Sequence, residues 1–185
     1  MIVSQTQRAN VACVSEDHPA FAGIGVSWFV IRTRSRQEKA LALDLAAKSI
    51  VFFLPLVNAV RYYGRRKVRT NMPLFPGYVF VAGHRDDCFE ADRTGRVAQI
   101  LEVSDQQRLR EELQRIARVL QSGRTVEPCN PLVRGTEVEV SSGPFKGLRG
   151  MVDSKAHDNR LVLHVDLIGK AAFLEIESEL LRTVS

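Results

Sequence analysis

Cysteine is scarce in this chain: Cys13, Cys88 and Cys129 are odd in number and widely spaced. That excludes a disulfide framework and leaves no Cys-x-x-Cys knuckle for zinc, so a reducing cytoplasm is the expected compartment. Long apolar runs are missing too. No stretch approaches the roughly 20 apolar residues of a membrane span, so no membrane contact is expected. Residues 1–24, with Arg8, Glu16 and Asp17 among small side chains, lack the basic start and apolar core of a signal peptide. The histidines His18, His84, His157 and His164 are dispersed, with no pair at ligand spacing, and no cysteine or serine stands in a nucleophile setting. Asp86 and Asp87 are adjacent, so their side chains diverge on helix or strand and do not form a shared carboxylate site. The sequence therefore gives no reason to expect an enzyme, a metal or a cofactor. Trp28, the single tryptophan, begins the first strand and reads as core.

What is present is a basic, moderately apolar chain of 185 residues, 45% hydrophobic, enough for one ordinary domain or two small ones. The net charge of +5 is unevenly placed. Residues 25–121 hold 17 Lys/Arg against 10 Asp/Glu, a balance of +7, whereas residues 133–185 hold 7 against 8, a balance of −1. A basic first part beside a near-neutral second implies that only the first works near nucleic acid.

Periodicity sorts the chain into elements. Trp28 to Ile31 reads as a buried strand, followed at once by Arg32, Arg34 and Arg36. Ser35 with Glu38 makes a capping box, and Leu41 and Leu45 with the alanines between them give a helical stripe to about Lys48. Val51 to Leu54 and Val57 to Tyr63 are strand-like, and Gly64 offers a turn into Arg65 to Thr70, so a long hairpin is expected. Gly77 to Ala82 is a strand, Asp86 to Arg93 a helix and Val97 to Val103 a strand. Ser104 with Gln107 repeats the capping-box pattern ahead of Leu109, Leu113, Ile116 and Leu120, a helical stripe supported by Glu111 four residues before Arg115. This order implies an α/β sandwich with an antiparallel sheet.

Residues 122–132, with Gly123, Pro128 and Pro131, read as a linker, and a flexible chain of that length spans roughly 15 to 20 Å. Beyond it, Glu137 to Val140, Arg149 to Asp153, Leu161 to Leu167, Ala171 to Ile176 and Leu180 to Val184 are strands of a small β-barrel. The organisation expected is a flexible tail over 1–24, a first domain over 25–121, the linker, and a second domain over 133–185.

Two motifs add to this reading. Gly143-Pro-Phe-Lys-Gly-Leu-Arg-Gly150, with Val138, Val140 and Val152 around it, is a turn between antiparallel strands, rich in glycines free to take positive φ. It resembles the core of a KOW motif. Pro73-Leu-Phe-Pro-Gly-Tyr-Val-Phe-Val81 is similar to the signature of the NusG amino-terminal (NGN) domain. In this order they identify the chain as resembling the NusG family, over roughly Ser27 to Thr183. The implied fold class is α+β: an NGN-type sandwich, then an SH3-like KOW barrel.

On their own, Arg61, Arg65, Arg66, Lys67 and Arg69, interleaved with Tyr62 and Tyr63, fit either a ribbon along a phosphate backbone or a solvated hairpin. The resemblance implies the former, with this side of the domain facing upstream DNA and the non-template strand. Tyr78 and Phe80 share one face of a strand and Val79 and Val81 the other. Strand aromatics are usually core. The resemblance implies instead that Leu74, Phe75, Tyr78 and Phe80 line an apolar cavity gripping the clamp coiled coil of the largest subunits of RNA polymerase.

In the second domain the glycines serve backbone geometry, since a phosphate-cradling loop would lead into a helix and this one leads into a strand. Phe145 is either a barrel cap or an exposed contact. Ile168 and Gly169 lie at the hairpin where the family carries Phe-Gly and binds a small-subunit ribosomal protein or the termination factor Rho. Ile168 departs from that phenylalanine. The resemblance thus implies a monomeric elongation factor that suppresses pausing and termination. Met72 to Pro76 reads more like the specialised paralogues of RfaH and capsule-operon type. A housekeeping factor acting with Rho and a KOW-containing ribosome- or RNA-binding protein are the alternatives, the latter disfavoured by the near-neutral second domain.

Overall fold

In the computed structural model the residues described are 17–22, 25–63, 66–123, 126–129, 135–143, 145–153, 160–175 and 181–183. The chain divides into two compact units, residues 1–110 and 111–185.

The first unit opens with a short helix, α1 (Pro19–Ala22). Strand β1 (Ser27–Thr33), helix α2 (Glu38–Ala47), β2 (Val51–Phe53), the hairpin β3 (Leu56–Tyr63) and β4 (Arg66–Pro73), β5 (Tyr78–Gly83), α3 (Arg85–Asp92) and β6 (Val97–Leu101) follow. Helix α4 (Gln106–Gln121) contains the division between the units. The main sheet has the order β2-β5-β1-β6, every pair antiparallel. The β3–β4 hairpin is a separate ribbon, in register from Leu56 opposite Pro73 to Tyr63 opposite Arg66. The antiparallel α+β arrangement expected from the sequence is the one observed.

Pleating sorts the strand residues onto two faces. Ile31, Phe52, Val79 and Val81 pack with Leu41, Ala42 and Leu45 of α2 and Ala91 of α3 in one buried cluster. Ion pairs tie these helices to each other and to the sheet. Arg96, just ahead of β6, donates to Asp44 of α2 (2.6 Å) and to Gln37 (2.6 Å). Lys48 bridges from the end of α2 to Glu90 of α3.

Two expected helix starts are corrected. Arg36 takes a left-handed φ of 59° and Gln37 N–H donates to the Arg34 carbonyl (3.1 Å), so a turn occupies the Ser35 region and α2 begins at Glu38 without a side-chain cap. The Ser35–Glu38 capping box therefore does not form. At α4 the cap sits one residue past Ser104: Asp105 Oδ1 accepts from Arg108 N–H (2.9 Å), satisfying a first-turn donor.

In the second unit β8 (Gly135–Val140), β9 (Arg149–Asp153), β10 (Arg160–Val165), β11 (Lys170–Glu175) and β12 (Leu181–Thr183) correspond to the strands expected, except that Asp166 and Leu167, expected to end the third, lie in a 3₁₀ turn (Asp166–Ile168). A further strand, β7 (Val126–Cys129), lies inside the stretch expected to be linker and pairs with β11. The sheet order is β12-β8-β9-β10-β11-β7, so β7 is an edge strand, the place in a sheet that tolerates a proline such as Pro128. Gly143 and Gly147 adopt φ of 80° and 83° as the turn requires, while Gly150 is an ordinary strand residue opposite Val138. Pro144 lies outside the described residues.

Candidate functional site

The segment Leu74 to Tyr78 joins the hairpin to β5, and hydrogen bonds hold it on several sides. Tyr78 N–H donates to the Phe75 carbonyl (3.2 Å) across Pro76 and Gly77, and Gly77 has φ of 87°. Proline second and a left-handed glycine third is the type II turn pattern. The Gly77 carbonyl accepts from Thr33 N–H (2.8 Å), and Gly77 N–H donates to Glu38 Oε1 (2.7 Å). Glu38 is buried in the first turn of α2, where the positive end of the helix dipole favours a carboxylate. Leu74 N–H donates to the Pro55 carbonyl (2.8 Å), and Lys39 of α2 donates to the Asn71 carbonyl at the hairpin base.

Behind this turn runs a row of aromatic rings. Phe75 meets Phe80 edge-on with centroids 6.3 Å apart, Phe80 lies 6.3 Å from Phe53, and Phe53 meets Phe21 of α1 edge-on at 6.2 Å. Phe21 in turn stacks on Trp28 at 5.2 Å. The sheet register puts Phe53, Phe80 and Val30 abreast, on the face opposite the helix-covered valines. That face, expected to be open, is filled. Phe75 and Phe80 are 1% and 0% exposed and Leu74 is fully buried, which leaves Tyr78 half-buried beside the exposed Pro76.

The sequence reading missed Phe21, which it left in a flexible tail. The structure corrects that tail for residues 17–22. His18 Nδ1 accepts from Ala20 N–H (3.2 Å), and the Ala20 carbonyl accepts from the Trp28 indole N–H (3.2 Å). The reading also missed Gln106. Its side-chain amide accepts from Trp28 N–H (2.7 Å) and donates to the Trp28 carbonyl (2.9 Å), standing in for a strand beyond the point where β6 stops pairing with β1. Nothing in local sequence pattern announces either contact.

The basic hairpin is a paired ribbon. Arg61 stands opposite Val68, Lys67 opposite Tyr62, Arg66 opposite Tyr63 and Arg69 opposite Val60. Arg65 lies outside the described residues. In the second unit Phe145 is 1% exposed, so it caps the sheet core and is not an exposed contact. Ile168 is 8% exposed and Gly169 has φ of 57°. Leu167 beside them is 38% exposed.

Elsewhere, burial pushes the Cys88 thiol up to about 11, and the hydrogen bond from Lys48 holds Glu90 below its ordinary range. Asp87 caps α3 by accepting from His84 N–H (2.7 Å). Among the described residues no three His, Cys, Asp or Glu side chains form a metal site, and no helix is long and apolar enough to cross a membrane.

The model of the family described as "Transcription termination factor nusG" matches residues 26–124, more than half of the chain. The chain belongs to the NusG family. NusG-family proteins are transcription elongation factors that bind RNA polymerase, and they are not enzymes. Solved structures similar to the chain include one of NusG and one of an Spt4:Spt5 complex. NusG of Thermotoga maritima, described by its domain interaction, is 19% identical with a TM-score of 0.46, over 86% of this chain and 98% of that one. The MjSpt4:Spt5 complex in conformation B is 22% identical with a TM-score of 0.27, over 85% and 97%. No curated protein matches the chain.

Proposed function

We propose that this NusG-family chain grips the clamp coiled coil of RNA polymerase with the surface around Tyr78, suppresses pausing and termination, and recruits a partner through its KOW unit. The observation that carries the reading is the turn at Pro76–Gly77. Backbone and carboxylate hydrogen bonds fix it, and it sets a half-buried tyrosine and an exposed proline at the end of a packed aromatic row. An anchor already held in place loses little freedom on binding, which favours affinity. Leu74, Phe75 and Phe80 support the anchor from beneath. The action is mechanical: bridging the polymerase cleft disfavours the open states that lead to pausing.

Arg61, Arg65, Arg66, Lys67 and Arg69 on the hairpin follow upstream or non-template DNA through phosphate contacts. In the KOW unit, Leu167 joins Ile168 and Gly169 at the hairpin that meets a small-subunit ribosomal protein or Rho. The two domains act as tethered parts of a cytoplasmic monomer on selected operons. The test is binding of the full chain to purified polymerase, with Tyr78→Ala and a polymerase lacking the clamp coiled-coil tip as controls. Binding lost in both is expected, and equal binding in either control refutes the reading. Neutralising Arg65, Arg66 and Lys67 together is expected to flatten the salt dependence of binding to a transcription complex. An unchanged salt slope removes the hairpin from the DNA path.

A further inference from the structure

Helix α1 is held to the first unit by little. Among the described residues, apart from its hydrogen bonds to the preceding His18, α1 is tied to the rest of the unit by the bond from the Trp28 indole to the Ala20 carbonyl. Its apolar anchors are Ala20 and Phe21, each 5% exposed. A four-residue helix is far below the length at which helices persist unaided, so its position depends on that anchorage. It lies outside residues 26–124, the part matched by the family model. Yet Phe21 fills a place on the sheet face that leads to the polymerase-facing turn, stacked on Trp28 and edge-on to Phe53. From Phe53 ring contacts continue through Phe80 to Phe75, next to the turn that presents Tyr78.

We infer that the slot between Trp28 and Phe53 is a second apolar subsite of the polymerase-binding surface, and that Phe21 is an intrachain occupant which a partner's aromatic or branched aliphatic side chain displaces. The inference rests on the polymerase reading above. With α1 withdrawn, Trp28 and Phe53 lose the Phe21 ring that packs against both on the side of the sheet that carries Tyr78, and the Trp28 indole N–H loses its acceptor. That combination, an apolar slot with one unpaired donor, takes a large apolar side chain whose own backbone carbonyl replaces that of Ala20. Because Phe21 and the partner's side chain compete for one place, the docked helix lowers apparent affinity by the fraction of chains in which it occupies the slot.

The single tryptophan makes the slot observable in the full chain. Phe21→Ala is expected to shift Trp28 emission to the red and raise its quenching by acrylamide. It is also expected to tighten binding to purified polymerase, about three- to tenfold where the docked form predominates. Phe21→Leu keeps the slot filled and stays near wild type in both measurements. If Trp28 stays shielded in folded Phe21→Ala, or becomes accessible without any gain in affinity, the inference is wrong. The polymerase reading survives either result provided Tyr78→Ala still weakens binding. Absence of polymerase binding by every variant, wild type included, refutes both. Should Phe21→Ala fail to fold, hydrogen exchange on the wild-type chain decides. The amides of Ala20, Phe21 and Ala22 are expected to exchange faster when polymerase is added, and unchanged or slower exchange overturns the inference.

Discussion

Replacing Phe75 and Tyr78 separately by alanine distinguishes a ring that holds the fold from a ring that meets a partner. Phe75 is 1% exposed and its edge contact with Phe80 is 6.3 Å between centroids, so its removal deletes a full aromatic side chain and leaves a cavity beside Phe80. Such truncations cost about 3 to 5 kcal/mol, a large share of the roughly 5 to 15 kcal/mol that stabilises a typical domain. Tyr78 is half-buried, so its truncation costs about 1 kcal/mol of stability. As a central anchor it is expected to cost about 1 to 3 kcal/mol of polymerase binding, or about 5- to 150-fold in Kd. Urea unfolding followed by Trp28 fluorescence reads the first unit, which alone contains the tryptophan. With a slope near 2 kcal/mol per molar, Phe75→Ala lowers the midpoint by about 2 M and Tyr78→Ala by about 0.5 M. Phe75→Leu recovers much of the loss because it refills most of the volume. The reasoning is refuted if Phe75→Ala unfolds at the wild-type midpoint, or if Tyr78→Ala is the more destabilised of the two.

Glu38→Leu leaves Gly77 N–H without an acceptor and is expected to cost about 1 to 3 kcal/mol, whereas Glu38→Gln keeps an acceptor oxygen. Amide exchange at Gly77 should quicken in the first and not in the second, and equal rates would show that the carboxylate does not hold the turn. Gly77→Ala meets open space but must adopt the left-handed conformation, at about 1 to 2 kcal/mol, read as a lower Tm. Glu90 has its folded-state pKa lowered from 4.5, chiefly by the Lys48 hydrogen bond. Its stabilising contribution is therefore fully present above 4.5 and is lost as pH falls through the lower folded value. Lys48→Met should bring the Glu90 titration seen by NMR back toward 4.5, and no movement would mean that Lys48 is not the cause. Cys88, with its thiol raised to about 11 by burial, should resist iodoacetamide at pH 8 in the folded chain and react on unfolding. Rapid native labelling of its peptide would contradict the burial.

Much of the local architecture was legible because it is written in near-neighbour chemistry. The alternation of Val138 and Val140, the spacing of Leu109, Leu113 and Ile116, and the Gly143–Gly147 turn each depend on periodicity or on a backbone angle that few residues adopt. The capping boxes were the weaker inference. Ser35 precedes a residue with positive φ, and once that turn closes Glu38 is drawn to Gly77, on a different element. Pro128 and Gly123 marked a linker fairly, but a proline is compatible with an edge strand, and β7 is one.

By itself the sequence determined most of the strands and helices, though not α1 or β7, where the hairpins turn, that the first part carries the excess positive charge, and that the two motifs belong together. Tertiary structure alone decided which side of each strand remains accessible. Phe80 and Tyr78 share a face by pleating, yet one ring is sealed and the other half-open because Phe53 and Phe75 meet Phe80. Phe21 joins that row from a segment with no periodic pattern, and Gln106 reaches a backbone 78 residues away. Secondary structure follows from interactions among residues a few positions apart. Burial follows from what the rest of the chain brings to a surface, and that information is spread over segments which become neighbours when the chain folds.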